Sequence, residues 1–283
     1  MYIFKAAVVG AGAMGAEIAE VISASELPVV LKDLDDAMVA KGLKRIEGIY
    51  AERVKRGKMT PQEMRNKMDL VIPATTFDDF GDVDFVVEAV PERIEIKKAV
   101  FAELDQVCPG QTILASNTSA LSISEMASAT KRPDKIVGFH FFNPASVMKL
   151  VEVIPGSQTS EETAATAMEF AQSLRKIPVR VKECPGFLVN RILMAGMAEL
   201  LRVQEESGAS PEEIDAMLRQ AAGLPVGPFL LADMLGLDVV YHVAKTLEAA
   251  YGDRFHVPES LARLVEANHL GVKTGQGFYT HTA

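Results

Sequence analysis

Four polar residues lie inside or just after apolar runs that are typical of buried strands. The residues are Ser119, His140, Asn143 and Glu152, and the runs cover residues 112–115, 136–141 and 149–154. Polar side chains so close to core strands must find partners or line a cleft. A hydroxyl, an imidazole and a carboxylate that converge in a cleft suit proton transfer to or from a substrate oxygen. We therefore expect this part of the chain to carry the chemistry.

A glycine-rich turn near the N-terminus indicates where a cofactor would bind. It reads Gly10-Ala11-Gly12-Ala13-Met14-Gly15 and lies between an apolar run and a helical segment. Asp33 follows 18 positions after the last glycine. This context is what the dinucleotide fingerprint requires: glycines that let backbone approach the pyrophosphate, and a helix N-terminus that receives its charge. A purely structural turn is the alternative interpretation.

Asp33 follows the second predicted strand, and this residue selects the cofactor. A carboxylate at Asp33 would accept hydrogen bonds from the ribose hydroxyls of NAD and would repel the 2′-phosphate of NADP. Leu34 comes next, so no arginine is there to bind that phosphate. The predicted cofactor is therefore NAD.

Strand and helix patterns alternate as far as residue 182, which predicts an α/β fold with a Rossmann-type, doubly wound, mostly parallel sheet. Pro185 and Gly186 interrupt this pattern. The following chain is predicted to be an all-α C-terminal domain, with methionine-rich helices at 187–206, 211–222, 228–250 and 259–267. We predict an NAD-binding domain at 1–184 and a substrate-binding and dimerisation domain at 185–283. Methionine-rich faces also occur in ordinary helix packing, which is the alternative explanation.

The first domain carries a helical insertion of unusual charge, at about residues 36–69. Between Lys41 and Lys67 the sequence has nine basic residues and three acidic ones, in a chain whose net charge is −9. A solvated charged face is the common explanation of such a run. Local positive charge on an acidic protein also attracts polyanionic ligands. The residues by themselves leave both explanations open.

The bulk properties exclude several classes of protein. The net charge of −9 argues against nucleic acid as a partner, because phosphate binding needs a basic surface. No apolar run approaches the roughly 20 residues that span a bilayer, and we expect neither a membrane segment nor a signal peptide. Cys108 and Cys184 lack metal-site spacing. We therefore expect reduced thiols, a cytoplasmic location and no metal centre.

The chain carries motifs that resemble those of the L-3-hydroxyacyl-CoA dehydrogenase family, and within it most closely the stand-alone bacterial 3-hydroxybutyryl-CoA dehydrogenases. The motifs are Ser-Asn-Thr-Ser at 116–119, His-Phe-Phe-Asn-Pro at 140–144, Val-Met-Lys-Leu-Val-Glu at 147–152, Pro-Gly-Phe-Leu-Val-Asn-Arg at 185–191, Gly-Pro-Phe at 227–229 and Lys-Thr-Gly-x-Gly-Phe-Tyr at 273–279. The resemblance extends from residue 10 to residue 279. One departure is Leu230, where many relatives have glutamate.

The resemblance implies a catalytic role for four of the matching residues. His140 would act as the general base that takes the proton of the substrate hydroxyl. Glu152 would orient the imidazole and stabilise the imidazolium, as a carboxylate does in a catalytic triad. Ser119 and Asn190 would hold the substrate oxygen.

The resemblance also implies binding roles. Asn143, like Ser119, would contact the substrate. Arg56 would meet the phosphates of CoA, which favours the ligand explanation of the basic insertion. The cofactor contacts beyond the glycine turn and Asp33 would be Glu92, Lys97, Asn117 and Lys273.

These residues lead to one predicted function and two alternatives. The prediction is the reversible, NAD-linked oxidation of a short (S)-3-hydroxyacyl-CoA to the 3-oxoacyl-CoA, in a homodimer. One alternative is the oxidation of a free sugar acid, as in lambda-crystallin-like relatives. The other is a dinucleotide-binding structural protein without turnover. The basic insertion favours CoA over a small acid, and the intact polar set argues against a non-catalytic protein.

Overall fold

The computed structural model describes residues 1–281. The chain divides into two compact units, Met1–Cys184 and a second unit that begins at Pro185. Among the described residues, no helix combines the length and the apolar character that crossing a membrane requires.

The first unit is built on an eight-stranded sheet in the order β3-β2-β1-β4-β5-β6-β7-β8. The strands are β1 Ala6–Val9, β2 Val29–Lys32, β3 Val71–Ala74, β4 Phe85–Glu88, β5 Ile113–Ser116, β6 Ile136–Phe141, β7 Leu150–Pro155 and β8 Ile177–Arg180. All neighbouring strands are parallel except β6 and β7, which are antiparallel. The mostly parallel, doubly wound sheet predicted from the sequence is confirmed.

Helices cover this sheet, which explains its apolar strands. They are α1 Ala13–Ala24, α2 Asp36–Lys55, α3 Pro61–Met68, α4 Ile94–Val107, α5 Ile123–Ala127 and α6 Glu161–Ser173. Every residue of β1, β2, β4 and β5 is buried, as expected of a parallel sheet that is packed on both faces. The strand order reverses between β1 and β4, and a doubly wound sheet binds its ligands in the crevice at that point.

The basic insertion consists of α2 and α3. The side chain of Asp35 caps α2, and a capping box of Thr60 and Glu63 begins α3 with Pro61 in the first turn. Tyr50 lies fully buried where α2 packs on α1, and its hydroxyl donates to the backbone carbonyl of Glu20 at 3.1 Å. The insertion is therefore an ordered part of the first unit.

The second unit is helical, as predicted. Its helices are α7 Val189–Ser207, α8 Pro211–Ala222, α9 Pro228–Leu235, α10 Leu237–Tyr251 and α11 Glu259–Glu266. The prediction of one helix over 228–250 is wrong, because the chain turns at Gly236. The backbone there has φ of +97°, which a right-handed helix cannot contain. The effect of Leu230 in place of glutamate finds no explanation in the structure.

Two buried carboxylates organise the second unit. Asp215 accepts hydrogen bonds from the first-turn amides of α9, and Asp233 accepts hydrogen bonds from the amides of Phe278 and Tyr279 at 2.9 Å each. A Cβ on Gly277 would lie 2.2 Å from the Asp233 carboxylate. The glycine-rich C-terminal motif is thus explained by the need of its backbone to approach Asp233 closely.

Candidate active site

The antiparallel pairing of β6 with β7 brings His140 and Glu152 together. The two residues are direct partners in the strand register, and such partners present their side chains on the same face of the sheet. Nδ1 of His140 lies 2.8 Å from Oε2 of Glu152. Both side chains are buried, so each supplies the polar partner that the other needs. The structure therefore contains the imidazole–carboxylate pair that the sequence predicted.

Ser119 lies in the loop that follows β5, and one carboxylate holds this loop. Oε1 of Glu92 accepts hydrogen bonds from the Thr118 hydroxyl at 2.5 Å and from the Ser119 amide at 2.8 Å. Thr118 is itself buried, whereas Ser119 is half-buried. The Ser119 backbone is therefore fixed at the carboxyl end of the parallel strands, where ligands of such sheets bind.

Asn117 connects the same loop to the strand that carries His140. Its side-chain oxygen accepts a hydrogen bond from the backbone amide of Phe141 at 2.8 Å. Its backbone amide donates to the backbone carbonyl of Glu88 at 2.8 Å. Phe141 is the neighbour of His140 in β6. The predicted site residues Asn117, Ser119 and His140 therefore belong to one hydrogen-bonded region of the first unit.

Lys97 is buried beneath this region. Its ammonium group lies 2.7 Å from Glu88 and 3.2 Å from Glu92, and it donates to the carbonyl of Val90 at 3.3 Å. These contacts employ the three donors of an ammonium group. In the structure Lys97 thus holds Glu92 in place through an ion pair. A direct contact of Lys97 with the cofactor stays a prediction.

Glu88 is a buried residue of this region to which the sequence patterns gave no role. It is fully buried, and it accepts hydrogen bonds from Ser116, the Val90 amide and Lys97 at 2.6–2.7 Å. The available signal was a carboxylate that ends the apolar run of β4. A charged residue in that position must have a partner in the fold.

The glycine turn has the shape that a dinucleotide requires. Gly10 has φ of +106°, and a Cβ on Gly15 would lie 1.7 Å from the carbonyl oxygen of Gly10. A Cβ on Gly12 would meet no atom within 4 Å, so this glycine leaves open space at the N-terminus of α1. No side chain of residues 1–281 caps that helix. Its first amides, from Ala13 onward, can therefore receive the charge of a phosphate.

Asp33 lies beside this turn. Its carboxylate accepts hydrogen bonds from the amide of Ala11 at 2.6 Å and from the amide of Leu34 at 2.7 Å. Each carboxylate oxygen has a second lone pair that can accept a ribose hydroxyl. The neighbouring Leu34 side chain is 84 % exposed and offers no positive charge. The residues present therefore fit NAD.

The structure also shows the local surroundings of the other predicted residues. Asn143 is exposed in the loop between β6 and β7. Arg56 follows α2 directly and forms a surface ion pair with Glu52. In the second unit, Asn190 lies in the first turn of α7, and Lys273 pairs with Asp238.

Comparison with known proteins identifies the family. Residues 5–184 match the family described as "3-hydroxyacyl-CoA dehydrogenase, NAD binding domain", and residues 186–281 match the family described as "3-hydroxyacyl-CoA dehydrogenase, C-terminal domain". The chain belongs to the 3-hydroxyacyl-CoA dehydrogenase family. This confirms the resemblance that the sequence motifs indicated, and it makes the chain an NAD-dependent dehydrogenase.

Individual members of the 3-hydroxyacyl-CoA dehydrogenase family match most of the chain. A 3-hydroxybutyryl-CoA dehydrogenase of Clostridioides difficile is 42% identical over 98% of this chain and 99% of its own length. A 3-hydroxyadipyl-CoA dehydrogenase of Escherichia coli is also 42% identical, over 96% of this chain and 58% of its own length. The crystal structure of the (S)-3-hydroxybutyryl-CoA dehydrogenase PaaH1 from Ralstonia eutropha matches with a TM-score of 0.96 and 37% identity, covering 100% of both chains.

Replacement of Asp33 tests the cofactor site. Asp33→Ala should weaken NADH binding by roughly 10- to 100-fold, because charge-assisted hydrogen bonds contribute about 1.5–3 kcal/mol, and it should reduce the preference for NADH over NADPH. The chain has no tryptophan whose fluorescence a bound cofactor could quench. The titration is therefore followed by the fluorescence of NADH itself. Asp36→Ala, which removes an exposed carboxylate of α2, should leave both affinities unchanged. An unaltered cofactor preference in Asp33→Ala would show that Asp33 does not contact the ribose.

Proposed function

We propose that this enzyme catalyses the reversible, NAD-linked oxidation of a short-chain (S)-3-hydroxyacyl-CoA to the 3-oxoacyl-CoA, with 3-hydroxybutyryl-CoA as the substrate. The observation that carries the proposal is the buried His140–Glu152 pair at 2.8 Å. His140 of this pair lies on β6, and the side chain of Asn117 connects β6 to the Ser119 loop. An alcohol dehydrogenase needs a base for the hydroxyl proton, and histidine is the side chain best suited to that role near neutral pH.

Proton transfer at His140 follows from its contact with Glu152. When Nδ1 donates to the carboxylate, Nε2 is left with a lone pair that can accept the hydroxyl proton of the substrate. Glu152 keeps the ring in this tautomer and stabilises the imidazolium that forms. In the reductive direction the same imidazolium returns the proton to the substrate oxygen. NAD held at the glycine turn and Asp33 would supply the acceptor for the hydride that leaves C3 of the substrate.

The other residues of the proposal bind and orient the substrate. The Ser119 hydroxyl and the Asn190 amide hold the reacting oxygen, and Asn143 adds a donor. Glu92, Asn117, Lys97 and Lys273 act on the cofactor side. The fixed Ser119 backbone supports this assignment, because a preorganised donor is most effective when it need not reorient during the reaction.

A cavity of about 650 Å³ beside α2 supports CoA as the carrier of the acyl group. Four of its lining residues are basic: Arg45, Arg53, Arg56 and Lys58. CoA carries phosphates that a cluster of guanidinium and ammonium groups can bind, whereas a small free acid would not need so extended a basic surface. The basic insertion is thus a CoA-binding surface in this proposal.

The choice of acyl group rests on relatives rather than on geometry. Two relatives that are named for different acyl groups, 3-hydroxybutyryl and 3-hydroxyadipyl, have the same 42% identity to this chain. The 3-hydroxybutyryl enzyme shares 99% of its own length with this chain, against 58% for the other. This difference in coverage favours the short acyl chain.

The helical unit forms a homodimer in this proposal. Large apolar side chains are exposed on its helices, among them Ile192, Leu193, Val203, Met217, Met234 and Val239. Exposed apolar side chains of this size are typical of association surfaces when they form a contiguous patch. A cytoplasmic location stays a prediction from the cysteine pattern.

Removal of the imidazole tests the proposed base. His140→Ala should lower kcat for acetoacetyl-CoA reduction by about 100- to 10,000-fold, the usual contribution of a general acid or base. NADH binding should change little, because in this proposal the glycine turn and Asp33 hold the dinucleotide. His242→Gln, on an exposed position of α10, is the matched control and should keep full activity. Wild-type turnover in His140→Ala would refute the assignment.

Substrates that lack the nucleotide test the CoA surface. Wild-type enzyme should reduce acetoacetyl-CoA far better than acetoacetyl-pantetheine or free acetoacetate. Arg56→Ala should lower kcat/KM for acetoacetyl-CoA by roughly tenfold, as expected for one charge-assisted phosphate contact, and should not affect the pantetheine substrate. Arg65→Ala, on the exposed face of α3 and away from the cavity, should have no effect. Equal efficiency with acetoacetyl-CoA and free acetoacetate would make the CoA proposal wrong.

Light scattering after gel filtration tests the dimer. Wild-type protein should have the mass of two chains, and Met234→Glu should dissociate it, because a buried unpaired carboxylate at an apolar interface is costly. Gln111→Glu changes an exposed position of the first unit and should stay dimeric. A wild-type mass of one chain would contradict the proposal.

A further inference from the structure

Glu20 is a buried acid that the proposed catalytic mechanism does not use. It lies in the middle of α1 and is 0% exposed. Nη1 of Arg53, from α2, lies 2.6 Å from its Oε1. This ion pair lacks the geometry of a hydrogen bond, and among residues 1–281 neither oxygen of the Glu20 carboxylate accepts one. The buried carboxylate is therefore paired with one cation but has no hydrogen-bond donor, which is costly for an ionised group.

The other groups that pack around Glu20 do not replace Arg53. Tyr50 of α2 directs its hydroxyl to the backbone carbonyl of Glu20, not to the carboxylate. Lys176, which follows α6, donates to the carbonyls of Ala145 and Met148 at 2.6 and 2.9 Å. Glu17, one turn earlier in α1, pairs with Arg45. Arg53 is thus the cation in contact with the Glu20 carboxylate.

The balance between burial and Arg53 sets the protonation of Glu20. Burial raises the pKa of Glu20 to about 7, against the opposing attraction of the Arg53 guanidinium and, more weakly, of Lys176. Loss of the Arg53 contact would remove the larger of these attractions. The pKa would then rise further, and a carboxyl group buried in this position would be neutral at physiological pH.

Arg53 faces two cavities at once. It lines the cavity of about 650 Å³ with Arg45, Arg56 and Lys58. It also lines a cavity of about 240 Å³ that contains Glu20 and the basic residues Lys149, Arg175 and Lys176. The Arg53 side chain is 30% exposed, so part of its guanidinium is open to a ligand. An anion that enters the larger cavity can therefore reach the same guanidinium that Glu20 holds.

We propose that Arg53 binds a phosphate of the CoA moiety, and that Glu20 takes up one proton from solvent as Arg53 turns from its carboxylate to the phosphate. This inference rests on the proposed function, since it takes CoA as the ligand. Phosphate and Glu20 compete for one guanidinium, and the carboxylate that loses this competition is too deeply buried to stay ionised. Glu20 and Arg53 together then determine how CoA affinity depends on pH.

The sign of the pH dependence follows from linkage. A group whose pKa is higher in the complex than in the free enzyme takes up a proton on binding, so binding strengthens as the pH falls. The pH dependence of CoA binding should be strongest above pH 7. This range lies between the pKa of Glu20 in the free enzyme, about 7, and its higher pKa in the complex. Below pH 7 Glu20 is already largely protonated in the free enzyme, and the dependence should fade.

Calorimetry with CoA itself measures the proton uptake. CoA is titrated into the enzyme at pH 7.5 in two buffers of different ionisation enthalpy, and the difference in heat gives the number of protons bound. Wild-type enzyme should take up roughly half a proton more per CoA than Glu20→Gln, as linkage predicts for a shift that starts near pH 7. Glu47→Gln removes an exposed carboxylate of α2 that lies outside the lining of this cavity and should keep the wild-type uptake.

The outcomes separate this inference from the proposed function. Equal proton uptake by wild type and Glu20→Gln would overturn the inference and leave CoA binding intact. Absence of CoA binding would overturn both. Arg53→Gln should bind CoA more weakly and without the extra proton. If Glu20→Gln does not fold, unchanged uptake in Arg53→Gln refutes the inference on its own.

Discussion

The proposed active site depends on one antiparallel step in an otherwise parallel sheet. Because β6 and β7 run in opposite directions, His140 and Glu152 stand directly opposite each other and meet at 2.8 Å. Direct partners in an antiparallel pair have Cβ atoms about 4.5–5.5 Å apart. A buried imidazole and a buried carboxylate thus pair through regular strand geometry, without a flexible loop. The backbone hydrogen bonds of the sheet fix the ring that we propose as the base.

The loop with Ser119 needs a different kind of support, since it belongs to no strand. Glu92 holds its backbone, Glu88 holds its start through Ser116, and Lys97 lies between the two carboxylates. A buried ion pair is weak evidence for stability, because desolvation of the charges offsets their attraction. Its presence here is better explained by the fixed position it gives to the loop, which a purely apolar core could not hold by directed hydrogen bonds.

Sequence patterns predicted what depends on local composition. Buried strands, the glycine turn and the change to helices after Cys184 all have local signals. The break at Gly236 was missed because its neighbours continue an apolar helical pattern, and one glycine inside such a pattern is commonly tolerated. The burial of Lys97 and the role of Glu88 were missed because they depend on packing between elements distant in sequence. Motif resemblance indicated the residues of the site, whereas their contacts needed coordinates.

Helix α1 connects the dinucleotide site to the region that we propose binds CoA. Its N-terminus lies at the glycine turn, where open space beside Gly12 suits the dinucleotide. Its interior carries Glu17 and Glu20, which pair with Arg45 and Arg53 of α2. Apolar residues could pack these helices together without the desolvation cost of two buried acids. Unlike apolar residues, the two acids hold arginines at the wall of the cavity where we propose that phosphates bind. The same packing that attaches the basic insertion to the first unit therefore also orients its charge towards the cavity where we propose that CoA binds.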